Sequence, residues 1–267
     1  MAKLFAVTII LIAIASAVPI VMHMWPMAED ISTHGHLIDE QYTDTMWEAG
    51  LSFLASQFLL AFFIWKFSSP KPGDKVKRFP GGAAGLVAAA FLLVGTECLA
   101  LGVFGVKAWA SVYLNPPGAN AMPVQVQAGQ FAFYFRYPGP DGTFGPLHPE
   151  QISEANANFF GIDTTHDPDS KDDIVTAELA IPVNREIHLL MHAKDVGHSF
   201  FVPELRIQQD FVPGLDVSVH FTATKIGKYE IVCTQLCGLG HYNMKAYLEV
   251  KSQEDYDAWI KQQAALQ

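Results

Sequence analysis

The apolar residues of this 267-residue chain are concentrated before about residue 113, and the remainder has the polar character of an ordinary soluble sequence. Three long apolar stretches occupy about residues 4–22, 46–67 and 82–109. An α-helix needs about 20 residues to cross the hydrocarbon core of a bilayer, and the second and third stretches reach that length. The pattern therefore predicts a membrane region over residues 1–114, built around a transmembrane helical hairpin.

The first apolar stretch has two interpretations. Lys3, the apolar run and the small-residue sequence Ala15-Ser16-Ala17 are typical of a signal peptide and its cleavage site. The run also continues to Met22, which is long enough to span a membrane. We favour a retained N-terminal helix and keep cleavage of residues 1–22 open.

Charged residues in the loops predict the orientation of the hairpin. The loop between the second and third stretches, together with Lys66 at the end of the second, carries five basic residues and one acidic residue, whereas the preceding loop carries five acidic residues and no Lys or Arg. Because positively charged loops stay in the cytoplasm, residues 67–80 are expected there and everything after Trp109 outside. The basic residues are Lys66, Lys71, Lys75, Lys77 and Arg78. This predicts an integral protein of a bacterial-type inner membrane, surrounded by membrane lipid, with its second domain on the outer, periplasmic side.

One carboxyl group lies well inside the third stretch. Glu97, beside Cys98, would cost about 2.5–3.5 kcal/mol against lipid on insertion scales, so we expect it to face protein or water. It could belong to a proton path, contact a partner helix, or be a protonated side chain bonded to a neighbouring helix. Cys98 is expected to be a packing residue.

Residues 115–267 predict an external domain of β-structure. After the linker sequence Asn115-Pro116-Pro117-Gly118, short alternating runs are separated by turns rich in Pro and Gly. Short strands without long amphipathic helices between them favour a β-sandwich or Greek-key barrel. Residues 139–173, rich in Pro, Gly, Asp and Asn, are predicted to be a long excursion with a short helix near 149–156. Residues 252–265 are predicted to form a closing amphipathic helix.

The external domain is acidic. From residue 115 onward the chain has 19 acidic and 10 basic residues, which accounts for nearly all of its net charge of −10. A nucleic-acid partner is excluded, because binding phosphates requires clusters of Lys and Arg. An acidic surface suits the docking of a basic protein, although it could also serve solubility alone.

Four potential metal ligands fall within twelve residues near the end of the chain. They are Cys233, Cys237, His241 and Met244. Soft sulfur ligands combined with imidazole favour copper. A single-copper site of this type needs one Cys, so a second Cys four residues away would allow two copper ions to share bridging thiolates. His198, which follows one predicted strand and precedes another turn, is the best candidate for a second imidazole.

Two other interpretations of the cysteine pair remain open. Cys233 and Cys237 could form a disulfide in an oxidising compartment, but the spacing of His241 and Met244 would then be a coincidence. A tetrahedral zinc site with two Cys and two His is chemically possible, but it would leave Met244 without a role.

The Cys-x3-Cys-Gly-x2-His-x2-Met run resembles subunit II of cytochrome c oxidase, as do the Asp-x2-His-Ser-Phe segment 35 residues upstream and the helical hairpin. The resemblance covers about residues 45–250. It implies an all-β, cupredoxin-like Greek-key domain that holds a binuclear copper A centre. The metal ligands that it implies are His198 and His241 as terminal ligands, Cys233 and Cys237 as bridges, Met244 as a weak axial ligand, and the main-chain carbonyl of Gln235.

The sequence departs from the usual family pattern at two places. Most members have Glu where Gln235 stands, and that side chain helps to bind a magnesium ion, so magnesium is doubtful here. The aromatic segment usually begins Gln-Trp, and its Trp accepts electrons from cytochrome c. Here the segment is Gln130-Phe131-Ala132-Phe133, so Phe131 or Phe133 is expected near the docking surface, or else in the core.

The resemblance implies that the chain accepts electrons from a soluble or tethered cytochrome c. It would pass them to haem in subunit I, where oxygen is reduced to water and protons are pumped. The oxygen-reducing site would lie in that other subunit, because no haem-ligating histidines occur in the apolar stretches of this chain. The alternatives are the copper A subunit of a nitric-oxide reductase and a membrane-anchored protein that stores or delivers copper.

Overall fold

Three long helices make up the N-terminal part of the protein. A computed structural model describes residues 1–22, 24, 26–68 and 84–266. The helices are α1 (Ala2–Val21), α2 (Gly35–Phe67) and α3 (Ala84–Trp109), and each is long and apolar enough to cross a membrane. Most of their large apolar side chains are exposed on the protein, as helices surrounded by lipid require. The predicted helical hairpin is confirmed, and the additional first helix accompanies it.

The bounds of both helices of the hairpin differ from the predicted ones. Helix α2 begins at Gly35, eleven residues before the apolar stretch, so its first three turns are polar. Helix α3 continues into a π-helical turn over Ala110–Leu114. Asn115 then adopts an extended conformation, which the following proline favours. The start predicted for α3 at residue 82 and the basic residues 71–78 lie outside the described residues.

The described residues form two compact units, one drawn from residues 1–28 and 37–108 and the other from residues 29–36 and 109–266. The second unit thus includes residues 29–36, which precede most of α2. The domain boundary predicted between residues 114 and 115 had assigned this segment to the membrane region. Ile31 in that segment is fully buried in the core of the β domain. Its backbone bonds to the carbonyl of Glu204 and to the amide of Thr224, and Ser32 forms a β-bridge with Ala223.

In the part of the chain that the structure describes, ten strands form two five-stranded sheets. The sheet orders are β3-β2-β1-β5-β8 and β4-β10-β9-β6-β7. β1 pairs in parallel with β5, and β4 with β10, and the other pairs are antiparallel. The strands are β1 Met122–Gly129, β2 Ala132–Tyr137, β3 Ile174–Thr176, β4 Leu179–Pro182, β5 Glu186–Ala193, β6 His198–Val202, β7 Ile207–Phe211, β8 Val217–Thr222, β9 Gly227–Val232 and β10 Lys245–Lys251. The predicted β-sandwich is confirmed.

One apolar core lies between the two sheets. Strand β5 shows why it forms: Ile187, Leu189 and Met191 alternate with more exposed residues and are completely buried. This is the period-two pattern of a strand with one face in a core. At one end of the sandwich the same core includes the sulfur atoms of Cys233 and Met244.

The excursion between β2 and β3 is tied to the first sheet by a buried ion pair. Arg136 of β2 bonds to Asp173, and both side chains are completely buried. Within the excursion, the short helix expected near residues 149–156 is a single 3-10 turn, Pro149–Gln151, and a second such turn covers Pro168–Ser170. The closing helix α4 spans Gln253–Ala264, and its N-terminus is capped by the side chain of Ser252.

Candidate metal centre

The potential metal ligands converge at the end of the second sheet. The metal loop, residues 233–244, connects the adjacent antiparallel strands β9 and β10. The amide of Cys233 donates to the carbonyl of Met244 at 3.2 Å, which brings the two ends of the loop together. His198 is the first residue of β6, which pairs with β9. Strand pairing therefore delivers a residue from 35 positions earlier to the base of the loop.

Each of the other four predicted ligands lies within 4.0 Å of a cysteine sulfur. The Sγ atoms of Cys233 and Cys237 are 3.9 Å apart. The remaining distances are 4.0 Å from Cys233 Sγ to His198 Nδ1, 3.2 Å from Cys233 Sγ to the Gln235 carbonyl oxygen, 3.6 Å from Cys237 Sγ to His241 Nδ1, and 3.7 Å from Cys237 Sγ to Met244 Sδ. The structure thus brings all six residues to one place.

The arrangement of donor atoms fits a metal. The cysteines are free thiols, and the ligand atoms of His198, Cys233 and Cys237 lie within 4.8 Å of one another. Since a metal–thiolate bond is about 2.3 Å long, a single ion could contact both sulfur atoms. The buried Met244 thioether adds a third soft donor, which favours copper over zinc.

Burial disfavours loss of the proton from the Cys237 thiol unless a cation is bound. Burial and the neighbouring Cys233 raise the pKa of the Cys237 thiol to about 11. At neutral pH the thiol therefore holds its proton unless a metal ion replaces it.

Asp195 fixes the orientation of the His198 ring. The Nε2 atom of His198 bonds to Asp195 Oδ1 at 2.8 Å, which leaves Nδ1 on the side of Cys233. Burial opposes ionisation of Asp195, but hydrogen bonds from the amide of Gln130, from His198 and from the amide of Val196 outweigh it. They hold the pKa of Asp195 below its ordinary value. Asp195 is the first residue of the Asp-x2-His-Ser-Phe segment and was not among the predicted site residues, although a carboxylate three residues before a candidate ligand histidine was a usable signal.

The two candidate electron-accepting aromatic residues lie in different surroundings. Phe131 is in the turn between β1 and β2 and is 39% exposed. Phe133, within β2, is 2% exposed, and its ring centroid is 5.9 Å from that of Phe211 in the core. The alternation of β2 sends Phe133 inward, so of these two residues Phe131 is the one that presents an aromatic surface beside the metal loop.

Gln130 and Phe131 both contact the metal loop. Gln130 donates from Nε2 to the carbonyl of Cys237 at 2.5 Å. The ring of Phe131 covers two glycines of the loop, and a Cβ atom at either Gly238 or Gly240 would press on this ring. Gly238 also has a backbone φ of +129°, which residues other than glycine rarely adopt.

These features define a β-sandwich protein whose described residues include three helices long and apolar enough to span a membrane, and a buried cluster of cysteine and histidine side chains that could hold a metal. A family model described as cytochrome c oxidase subunit II, periplasmic domain, matches residues 163–251. The alternative cytochrome c oxidase subunit 2 of Bradyrhizobium diazoefficiens is 30% identical over 262 residues, which cover 97% of this chain and 91% of that protein. The chain belongs to the cytochrome c oxidase subunit II family, so the resemblance seen in the sequence is confirmed.

Two further comparisons concern parts of the chain. Cytochrome c oxidase subunit 2 of Thermostichus vulcanus is 43% identical over 99 residues, which cover 37% of this chain and 29% of that protein. The crystal structure of the periplasmic domain of cytochrome oxidase subunit II of Bradyrhizobium japonicum covers 57% of this chain and 99% of that domain, with 20% identity and a TM-score of 0.42. Family membership makes the chain a subunit of a haem–copper oxidase, an oxidoreductase that it forms with other subunits.

Proposed function

We propose that the chain is the electron-accepting subunit of a respiratory haem–copper oxidase. It takes electrons from cytochrome c at a binuclear copper A centre and passes them to haem in subunit I, which reduces oxygen to water. One observation carries this proposal: two thiols, two imidazoles, a thioether and a main-chain carbonyl converge at the end of one sheet, each within 4.0 Å of a cysteine sulfur.

Each residue of the site has a defined part in holding the copper pair. Cys233 and Cys237 would hold both ions, His198 and His241 would each hold one, and Met244 and the Gln235 carbonyl would complete the set. When bound, the copper pair would supply one-electron chemistry. The sulfur atoms and His198 are buried, so water is excluded from the inner side of the site, whereas Gln235 lies on its exposed side. The adjoining strands are paired, so the ligands are held in place whichever charge the centre carries.

The outer surface beside the metal loop suits a basic redox partner. Phe131 is exposed there, and Leu239 and Tyr242, which flank His241 in the loop, are also strongly exposed. The domain has 19 acidic and 10 basic residues, so its field attracts a positively charged protein such as cytochrome c. We place this surface on the outer side of a bacterial inner membrane, where cytochrome c would reach it.

Replacing one bridging cysteine tests the proposal. We expect the full-length protein, purified in detergent with copper, to hold two copper ions per chain, with a mixed-valence electron paramagnetic resonance signal and near-infrared absorption. Cys233→Ser should abolish both signals. Cys98→Ser, in helix α3 and outside the metal site, is the matched control and should leave them unchanged. An unchanged spectrum in Cys233→Ser would overturn the assignment.

Two measurements separate this function from its alternatives. A copper storage or delivery protein would release Cu(I) readily to a chelator and would show no mixed-valence signal. In the assembled complex, reduced cytochrome c should drive oxygen consumption, whereas a nitric-oxide reductase would consume nitric oxide instead. The relatives from Bradyrhizobium diazoefficiens and Thermostichus vulcanus are oxidase subunits, which supports oxygen as the acceptor.

A further inference from the structure

We propose that Asp195 is a positioning residue of the copper centre. It holds His198 with Nδ1 directed at the thiolates, and it joins that ligand to the surface segment that contains Phe131. This inference rests on the proposed function, since it assigns a role toward the copper pair.

The carboxylate of Asp195 accepts three hydrogen bonds from two separate parts of the chain. Its Oδ1 atom accepts from the amide of Val196 at 2.7 Å and from Nε2 of His198 at 2.8 Å. Its Oδ2 atom accepts from the amide of Gln130 at 2.8 Å. The group is therefore fixed from the β1–β2 turn on one side and from the segment before β6 on the other.

These bonds determine which nitrogen of His198 is free to bind a metal. An ionised carboxylate can only accept hydrogen bonds, so Nε2 of His198 must carry the proton that it shares with Asp195. In a neutral imidazole the other nitrogen, Nδ1, then has an open lone pair, and it faces Cys233 Sγ at 4.0 Å. Because His198 is completely buried, water does not compete for either nitrogen.

The same carboxylate connects the buried ligand to the surface. Gln130 donates its backbone amide to Asp195 and its side-chain amide to the carbonyl of Cys237, so one residue bridges Asp195 and the metal loop. Phe131 is the next residue along the chain. A change at Asp195 should therefore alter the His198 ligand and also loosen the surface that we assign to electron uptake.

The charge of Asp195 should also lower the reduction potential of the centre. A carboxylate that accepts from a ligating histidine makes the imidazole a better electron donor, which favours the more positive, oxidised metal. Loss of the charge in Asp195→Asn should therefore make the centre easier to reduce. We expect the equilibrium constant for reduction to rise up to about tenfold, which is about 59 mV for a one-electron couple.

The test uses the copper-loaded full-length protein with Asp195→Asn and Asp195→Ala. Glu186→Gln is the matched control, because Glu186 also pairs with a histidine, His220 Nδ1 at 2.9 Å, but at the opposite end of β5. Copper affinity by chelator competition should fall about 10–100-fold in Asp195→Ala, the usual effect of losing such a partner. Redox titration should give the higher potential in Asp195→Asn. Pulsed electron paramagnetic resonance should show an altered nitrogen coupling from one of the two histidines.

The possible outcomes are distinguishable. Suppose that the wild-type protein shows the two-copper signal and that both Asp195 variants keep its copper affinity, reduction potential and nitrogen coupling. This result would overturn the inference about Asp195 and leave the proposed function standing. Equal changes in Glu186→Gln would also overturn it, because the effect would not be specific to the copper site. A wild-type protein without the two-copper signal would overturn both. If Asp195→Ala does not fold, Asp195→Asn, which preserves the size of the side chain, carries the test.

Discussion

The ring of Phe131 covers Gly240 so closely that a Cβ atom added to Gly240 would lie 2.5 Å from Cδ2 of the ring. The exposed aromatic side chain and the metal loop are therefore in direct contact. The glycine is needed for the close approach of the ring, and this contact leads to the first two predictions.

Gly240→Ala should displace the Phe131 ring or shift the metal loop. We expect slower electron uptake from reduced cytochrome c, measured by stopped-flow kinetics. The variant should also be less stable to unfolding by about 1–3 kcal/mol, as is usual for overpacking. Gly197→Ala is the control, because a Cβ atom there would make contacts no closer than 3.7 Å. Equal electron-transfer rates in the two variants would show that the ring position does not matter.

Phe131→Ala should impair electron uptake, whereas Phe133→Ala should impair the stability of the domain. Phe131 is at the surface, so its loss should slow electron uptake while stability changes little. Phe133 is in the core, so its loss should cost about 3–5 kcal/mol of stability. Hydrogen exchange of the outer domain measures stability, and stopped-flow kinetics measures electron uptake. A normal rate in Phe131→Ala would count against this surface as the site of electron uptake.

Asp173→Ala should strongly destabilise the excursion between β2 and β3. It leaves the Arg136 guanidinium buried without its counter-charge, which typically costs about 3–5 kcal/mol. The double variant Arg136→Met with Asp173→Leu removes both charges and should recover most of the loss. Hydrogen exchange of β2 amides measures both effects. A small effect of Asp173→Ala would mean that water reaches this pair.

The excursion should become less stable as pH rises above neutrality. The hydrogen bond between Asp167 and His148, 2.7 Å to Nε2, raises the pKa of His148 above its ordinary value of about 6.5. A raised histidine pKa gives stability that is complete below the unfolded pKa and is lost as pH passes the folded pKa. Proteolysis within residues 146–170 should therefore accelerate from pH 6 to pH 8.5.

Asp167→Asn should remove most of this pH dependence. Asp257→Asn on α4, where the carboxylate accepts from Gln253 and has no histidine partner among the contacts of the described chain, should leave it intact. A pH profile that is identical in all three proteins would exclude His148 as the titrating group. Nuclear magnetic resonance titration of the His148 ring would measure its pKa directly.

The sequence predicted the features that depend on local pattern. The apolar stretches indicated the helices, the alternating runs indicated the sandwich, and the spacing from Cys233 to Met244 indicated a metal loop. The role of Asp195 depends on Gln130, 65 residues away, and strand pairing that brings such residues together has no local signature. In one continuous strand Phe131 and Phe133, two residues apart, would lie on the same face. The strand begins at Ala132, which leaves Phe131 in the turn.

The segment of residues 29–36 was missed for a similar reason. A single apolar residue, Ile31, in a polar stretch gives no periodicity from which a strand partner can be predicted. Its burial depends on the bridge between Ser32 and Ala223, almost two hundred residues later in the chain.

The insertion of Ile31 has a practical consequence for work on this protein. A fragment cut after the third helix would lose the side chain that fills this part of the hydrophobic interior and the backbone bonds that Thr222 and Thr224 make with residues 31–33. Such a fragment would have an open apolar slot, and it would be prone to self-association there. The soluble half of this molecule begins, in structural terms, before its second membrane helix.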